Sequence, residues 1–87
     1  MIAQKIGRTL KIQAYSPNGH ASIFLTSMKV DQPNVRFAVA SVLGINAQGV
    51  FSSSEPASSL QKAKKWAVAF TKKKLGDKFK FKTAVLR

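Results

Sequence analysis

Apolar residues recur with helical spacing from Ser59 to Leu75, stop at Gly76-Asp77, and give way to Lys78-Phe79-Lys80-Phe81-Lys82, whose alternation has the period of a strand. This switch constrains the fold strongly: a helix and a strand joined by so tight a break must each bury one face against the residues that precede them. A turn of about 100° per residue gathers Leu60, Ala63, Trp66, Ala67 and Phe70 on one side of the helix. It gathers Lys62, Lys65, Ala69, Lys72 and Lys73 on the other. Ser58, followed three residues later by Gln61, reads as the N-cap of a capping box with Pro56 just upstream. Gly76 reads as a left-handed C-cap, and Lys72, Lys73 and Lys74 fall where the helix dipole is negative.

The preceding residues supply the sheet. From Lys5 to Tyr15, Ile6, Leu10, Ile12 and Ala14 form an inward row opposite Lys5, Thr9, Lys11, Gln13 and Tyr15, with Arg8 interrupting that row. Ser16-Pro17-Asn18-Gly19 has the chemistry of a tight turn, so a hairpin is expected with a second strand from His20 to Val30. That strand carries Ile23 and Leu25 on one face and Phe24, Met28 and Val30 on the other, the pattern of a central strand. After the break Asp31-Gln32-Pro33-Asn34, the β-branched content of Val35 to Ile45 favours a third strand over a short helix capped by Asn34 and ending at Gly44. Asn46-Ala47-Gln48-Gly49 then turns the chain into a short edge strand, Val50 to Ser53, and Ser52-Ser53-Ser54-Glu55-Pro56 reads as a connector. The expected fold is α+β: a small antiparallel sheet of four to five strands with two N-terminal hairpins, packed by one amphipathic helix and closed by a final strand. All 87 residues are expected to form one domain.

A chain this short buries about 60 to 65% of its unfolded surface, so the core is modest. With 45% hydrophobic residues and six Phe it is nonetheless too apolar to be a disordered basic tail. There is no cysteine, which leaves neither a disulfide framework nor a thiolate metal site. No stretch has the apolar length of a signal peptide or membrane span, and a cytoplasmic protein is expected.

The charge is one-sided. The net charge is +12, of which +9 lies between Lys62 and Arg87, where Asp77 is the one acid. Helix lysines that serve solubility are usually interleaved with Glu or Asp at i+4, and like charges at that spacing are mutually destabilising. Here no acid relieves them, which points to an anionic partner. The expectation is one basic surface built from Lys62, Lys65, Lys72, Lys73, Lys74, Lys78, Lys80 and Lys82. It would bind nucleic acid, DNA or RNA with single strands slightly favoured, through the phosphate backbone and with little sequence preference. Lysine is a point charge without bidentate base geometry, and the arginines are few: Arg8, Arg36 and Arg87. Tyr15, outward on the first strand near Lys11, is the expected exposed stacking residue. Trp66, Phe79 and Phe81 read as core.

The other chemistries have little to work with. His20, Asp31, Glu55 and Asp77 are isolated beside turns and helix ends, so no acid–base or nucleophilic site is expected, and no cofactor or metal motif occurs. Neither the aromatic signature of the RNA-recognition motif nor the GXXG of the KH domain is present. An acidic protein surface gripped by the same lysines is the alternative partner. Membrane-surface attachment is weaker, since the helix needs its narrow apolar stripe to cover the sheet. A homodimer or higher homo-oligomer would add buried area that one short chain lacks.

Overall fold

The computed structural model describes residues 3–31 and 35–86. The break at Gln32-Pro33-Asn34, the leading Met1-Ile2 and Arg87 lie outside those residues. The elements run β1 (Ala3–Ser16), β2 (Gly19–Val30), β3 (Val35–Asn46), β4 (Gly49–Ala57), α1 (Leu60–Leu75) and β5 (Lys80–Leu86). The strands form one five-stranded antiparallel sheet in the order β4-β3-β2-β1-β5. This is the expected α+β architecture, with β2 central and β5 returning to pair with β1. No helix among the described residues is long and apolar enough to cross a membrane.

Two hairpins build the sheet with matching turns. In the first, the Asn18 N–H donates to Ser16 Oγ at 2.9 Å; in the second, the Gln48 N–H donates to Asn46 Oδ1 at 2.9 Å. Each turn is thus closed by a polar side chain that holds the amide two residues on.

The row broken by Arg8 is repaired by a bulge. Ile6 pairs with Ser27 and Leu10 with Leu25, so Gly7, Arg8 and Thr9 stand opposite Thr26 alone. Gly7 takes φ 74°, where a side chain is strained, and the extra residues let Ile6 and Leu10 share a face while Arg8 points into solvent. Thr9 Oγ1 and Thr26 Oγ1 then hydrogen-bond at 3.2 Å across the bulge.

Strand β4 is longer than expected. Ser52 to Ala57 continues the ladder against β3 as far as Ala38, so the serine-rich segment is an edge strand and not a connector. Its side chains carry little strand signal because backbone pairing and the Ser41–Ser54 hydroxyl bond at 3.1 Å hold it. Gly44 lies inside β3, opposite Phe51. A Cβ there would come within 2.5 Å of both the His20 carbonyl oxygen and the Phe51 ring, so the glycine makes room for that ring.

One face of the sheet is covered and the other is bare. The buried face consists of Ile12, Ala14, Ala21, Ile23, Leu25, Ala38, Ala40, Val42 and Phe51, packed against Ala63, Ala67 and Leu75 of α1. Alanine on both sides of the contact lets the helix lie close over β3 and its neighbours. The innermost stripe is Ala63, Ala67, Thr71 and Leu75, and the Thr71 hydroxyl is satisfied by donating to the Ala67 carbonyl at 2.8 Å. This differs from the expected stripe in rotation. Trp66 and Phe70 are only half-buried, stacked on each other at 5.5 Å on the flank above Phe51, and Leu60 is 44% exposed. The expectation weighted size, whereas close approach of helix to sheet favours the small residues at the centre.

The helix is fixed at both ends. Its N-cap is Ser59, one residue after the expected Ser58: the Lys62 N–H donates to Ser59 Oγ at 3.2 Å, and no Glu or Gln stands three residues on to complete a box. At the C-terminus Gly76, with φ 88°, returns its N–H to the Lys72 carbonyl at 2.8 Å. The next carbonyls are met by the hairpin turns. Ser16 Oγ and Asn18 Nδ2 donate to the Leu75 carbonyl at 3.2 and 3.0 Å, and Asn46 Nδ2 donates to that of Lys74 at 3.0 Å. A helix of 16 residues is about 24 Å long, while the 12 residues of β2 or β3 span about 40 Å, so from the hairpin turns the helix reaches back only to about the level of Ala38, where β4 ends.

Candidate nucleic-acid interface

Directly opposite residues in an antiparallel sheet share a face, so the register assigns every strand side chain. On the face away from α1, Tyr15 pairs with Lys80, Gln13 with Lys82 and Lys11 with Phe24. Tyr15 is 47% exposed, and its phenol donates to Gln13 Oε1 at 2.8 Å, which holds the ring along the strand. The Lys11 ammonium sits 5.7 Å from the centroid of the Phe24 ring, a cation–π contact that leaves the charge on the surface. Lys80 and Lys82 are exposed. At one end of this row Tyr15, Asp77, Lys78, Phe79 and Lys80 line an open groove of about 500 Å³ between the first turn and the α1–β5 connection. No Asp or Glu occupies an open-face position among the described strand residues.

The helix lysines belong elsewhere. Lys62, Lys65, Lys72 and Lys73 are exposed on the side of α1 that faces away from the sheet, and Lys74 lies with its ammonium 5.6 Å from the Phe70 centroid. Among the described residues, the one ion pair is Lys29 with Asp31 at 3.7 Å. The structure therefore does not produce a single basic surface. Phe81 pairs with Ala14 and so lies on the helix side, where it flanks Lys64 and Val68. Lys80 and Lys82 consequently point the opposite way. Phe79 and Phe81 meet edge to face at 4.7 Å on the helix side, Phe79 packing against the core and Phe81 staying 45% exposed at its margin.

Two contributors were not singled out from the sequence. Gln13, which orients Tyr15, and Phe24, which carries the Lys11 ammonium, become visible only once the β1–β2 register is known. The rest of the open face, on β2, β3 and β4, has a different character. It presents Phe24, Val39, Ser41, Leu43, Ile45, Val50, Ser52 and Ser54 among others, and none of its described residues is Lys, Arg, Asp or Glu. Leu43 and Val50 are 53% and 75% exposed there. The bare face thus divides into a lysine-bearing border on β1 and β5 and an uncharged field on β2 to β4.

The chain matches no protein-family model, and no curated protein or solved structure is significantly similar to it.

Proposed function

We propose that this protein binds single-stranded nucleic acid along the β1–β5 border of its open sheet face. One observation carries the reading: an exposed, oriented Tyr15 stands in a row with Lys11, Lys80 and Lys82 on a face whose described strand positions carry no carboxylate. A flexible strand can place a base on the Tyr15 ring, a contact contributing about 1 to 3 kcal/mol, while its phosphates meet the lysines on either side. A duplex has its bases stacked inside and would use the lysines alone. Lysines without arginine forks read phosphate and not base edges, so binding is expected to depend little on sequence.

The test is a salt titration with oligo(dT). Four phosphates neutralised by Lys11, Lys78, Lys80 and Lys82 correspond to a slope of log affinity against log salt of about −3 for a single strand. A flat response, or equal affinity for a duplex of the same length, would defeat the proposal, and a flat response would favour an acidic protein as the partner.

The uncharged field supports a second element, self-association. A chain of net charge +12 repels its own copies over most of its surface, and the β2–β4 field is where two copies can approach without opposing lysines. Three strands about 4.8 Å apart and about 40 Å long offer about 600 Å² per copy, below the roughly 800 Å² per partner of a stable complex. A weak dimer is the expected result, seen as a concentration-dependent sedimentation coefficient that Leu43→Lys abolishes. A monomer at every concentration would exclude it.

A further inference from the structure

We infer that one chain holds two nucleic-acid strands at once, one on the open sheet face and one on the outer face of α1, and so bridges them. The inference rests on the function proposed above and adds a second site to it. The layering of the fold carries it. Lys80 and Lys82 project from the side of the sheet that α1 does not cover, whereas Lys62, Lys65, Lys72 and Lys73 project from the far side of α1. The molecule measures 44 × 21 × 18 Å along its principal axes. Fields of exposed charges are screened beyond a Debye length of about 8 Å at physiological ionic strength. Each face therefore presents its own potential, and a phosphate on one does not neutralise lysines on the other.

The helix face has the dimensions of a phosphate track. Lys62 to Lys73 covers about 16 Å of helix axis, a length over which one strand of a nucleic-acid duplex carries about five phosphates. The helix has no Asp or Glu anywhere, its first turn included, where acids would relieve the dipole. Its exposed lysines have no carboxylate partner within ion-pair distance among the described residues. This face offers no outward aromatic, since Trp66 and Phe70 lie on the flank over β4. It holds a backbone without reading or stacking bases, while the sheet face holds a strand through Tyr15. A chain with two such faces draws separate strands together, and for complementary strands it raises the local concentration from which they anneal.

The experiment uses two short, non-complementary oligonucleotides, one carrying a donor dye and one an acceptor, with full-length protein. Native mass spectrometry counts strands per chain and energy transfer reports their proximity. The expected result is two strands per chain, with transfer between the dyes. Lys62→Gln/Lys65→Gln/Lys72→Gln/Lys73→Gln should retain one strand per chain and the Tyr15-dependent binding, yet lose the second strand and the transfer. Removing about four phosphate contacts weakens that site by about 100-fold or more at 0.1 M salt. Its melting temperature should be unchanged or higher, since like charges are removed from a solvated face. If wild-type protein saturates at one strand per chain, the bridging inference is overturned while the sheet-face reading stands; this includes the case of one strand wrapping both faces. If no oligonucleotide binds at all, both fall together.

Discussion

Ile23→Ala is expected to lower the folding free energy by about 3 to 4 kcal/mol, within the range for an aliphatic side chain truncated in a packed core. Ile23 is fully buried at the middle of β2, between Ile12 and Val42 on the adjoining strands, in the cluster that includes Ala63 and Ala67 of the helix. The alanines around it have no longer side chains with which to fill the space it leaves. For a domain of this size the loss corresponds to a fall in melting temperature on the order of 15 °C. Leu43→Ala is the control, because Leu43 is 53% exposed on the opposite face and should shift the transition by only a few degrees. Equal melting of the two variants would mean that α1 does not cover the face on which Ile23 lies.

The second large effect concerns binding. In the Lys62→Gln/Lys65→Gln/Lys72→Gln/Lys73→Gln protein, which keeps only the sheet-face site, adding Lys11→Gln/Lys80→Gln/Lys82→Gln is expected to weaken oligo(dT) binding at 0.1 M salt by about 100-fold and to make the salt slope shallower by about 2, since three of the lysines on the sheet face are gone. Tyr15→Ala in the same helix-face background should weaken binding by about 10-fold and leave that slope unchanged, because stacking releases no counterions. The pair of variants separates the two contributions through one titration. If the lysine variant binds oligo(dT) as tightly as its helix-face parent, the strand does not lie along β1 and β5.

Most of the fold was legible because its signals are local. The alternation in β1, β2 and β5, the glycine-bearing turns and the helical stripe are each properties of a few neighbouring residues. The misreadings have a common cause in contacts distant along the chain. Arg8 appeared to break a row because a bulge is defined by the partner strand, here Thr26 facing three residues. Ser52 to Pro56 looked like a connector because backbone pairing to β3 leaves no mark on its side chains. Gln61, three residues on, favours Ser58 as the cap, but helix geometry selects Ser59, whose Oγ meets the Lys62 amide. The division of the lysines between two faces was implicit in the sequence. Once Phe79 and Phe81 are assigned to the core, the parity of a strand requires Lys80 and Lys82 to leave on the side opposite the helix. The uncharged field of β2 to β4 was not legible, because it is assembled from alternate residues of three strands and only the register brings them together.

The side chains that close the end of the helix tie its formation to that of the sheet. A lone helix of this length with so many like charges has little stability in water, so before docking it is mostly unfolded. The carbonyls of Lys74 and Leu75 find their side-chain donors on Ser16, Asn18 and Asn46, residues that are correctly placed after both hairpins have closed. Hairpins form in about 1 to 10 μs, and the helix can be captured only afterwards, by two turns acting jointly. Opening either turn releases part of the same helix terminus. Amide hydrogen exchange in the last turn of α1 is therefore a readout of both hairpins, and Ser16 and Asn46, in separate hairpins of the sheet, belong to a single cooperative unit with it.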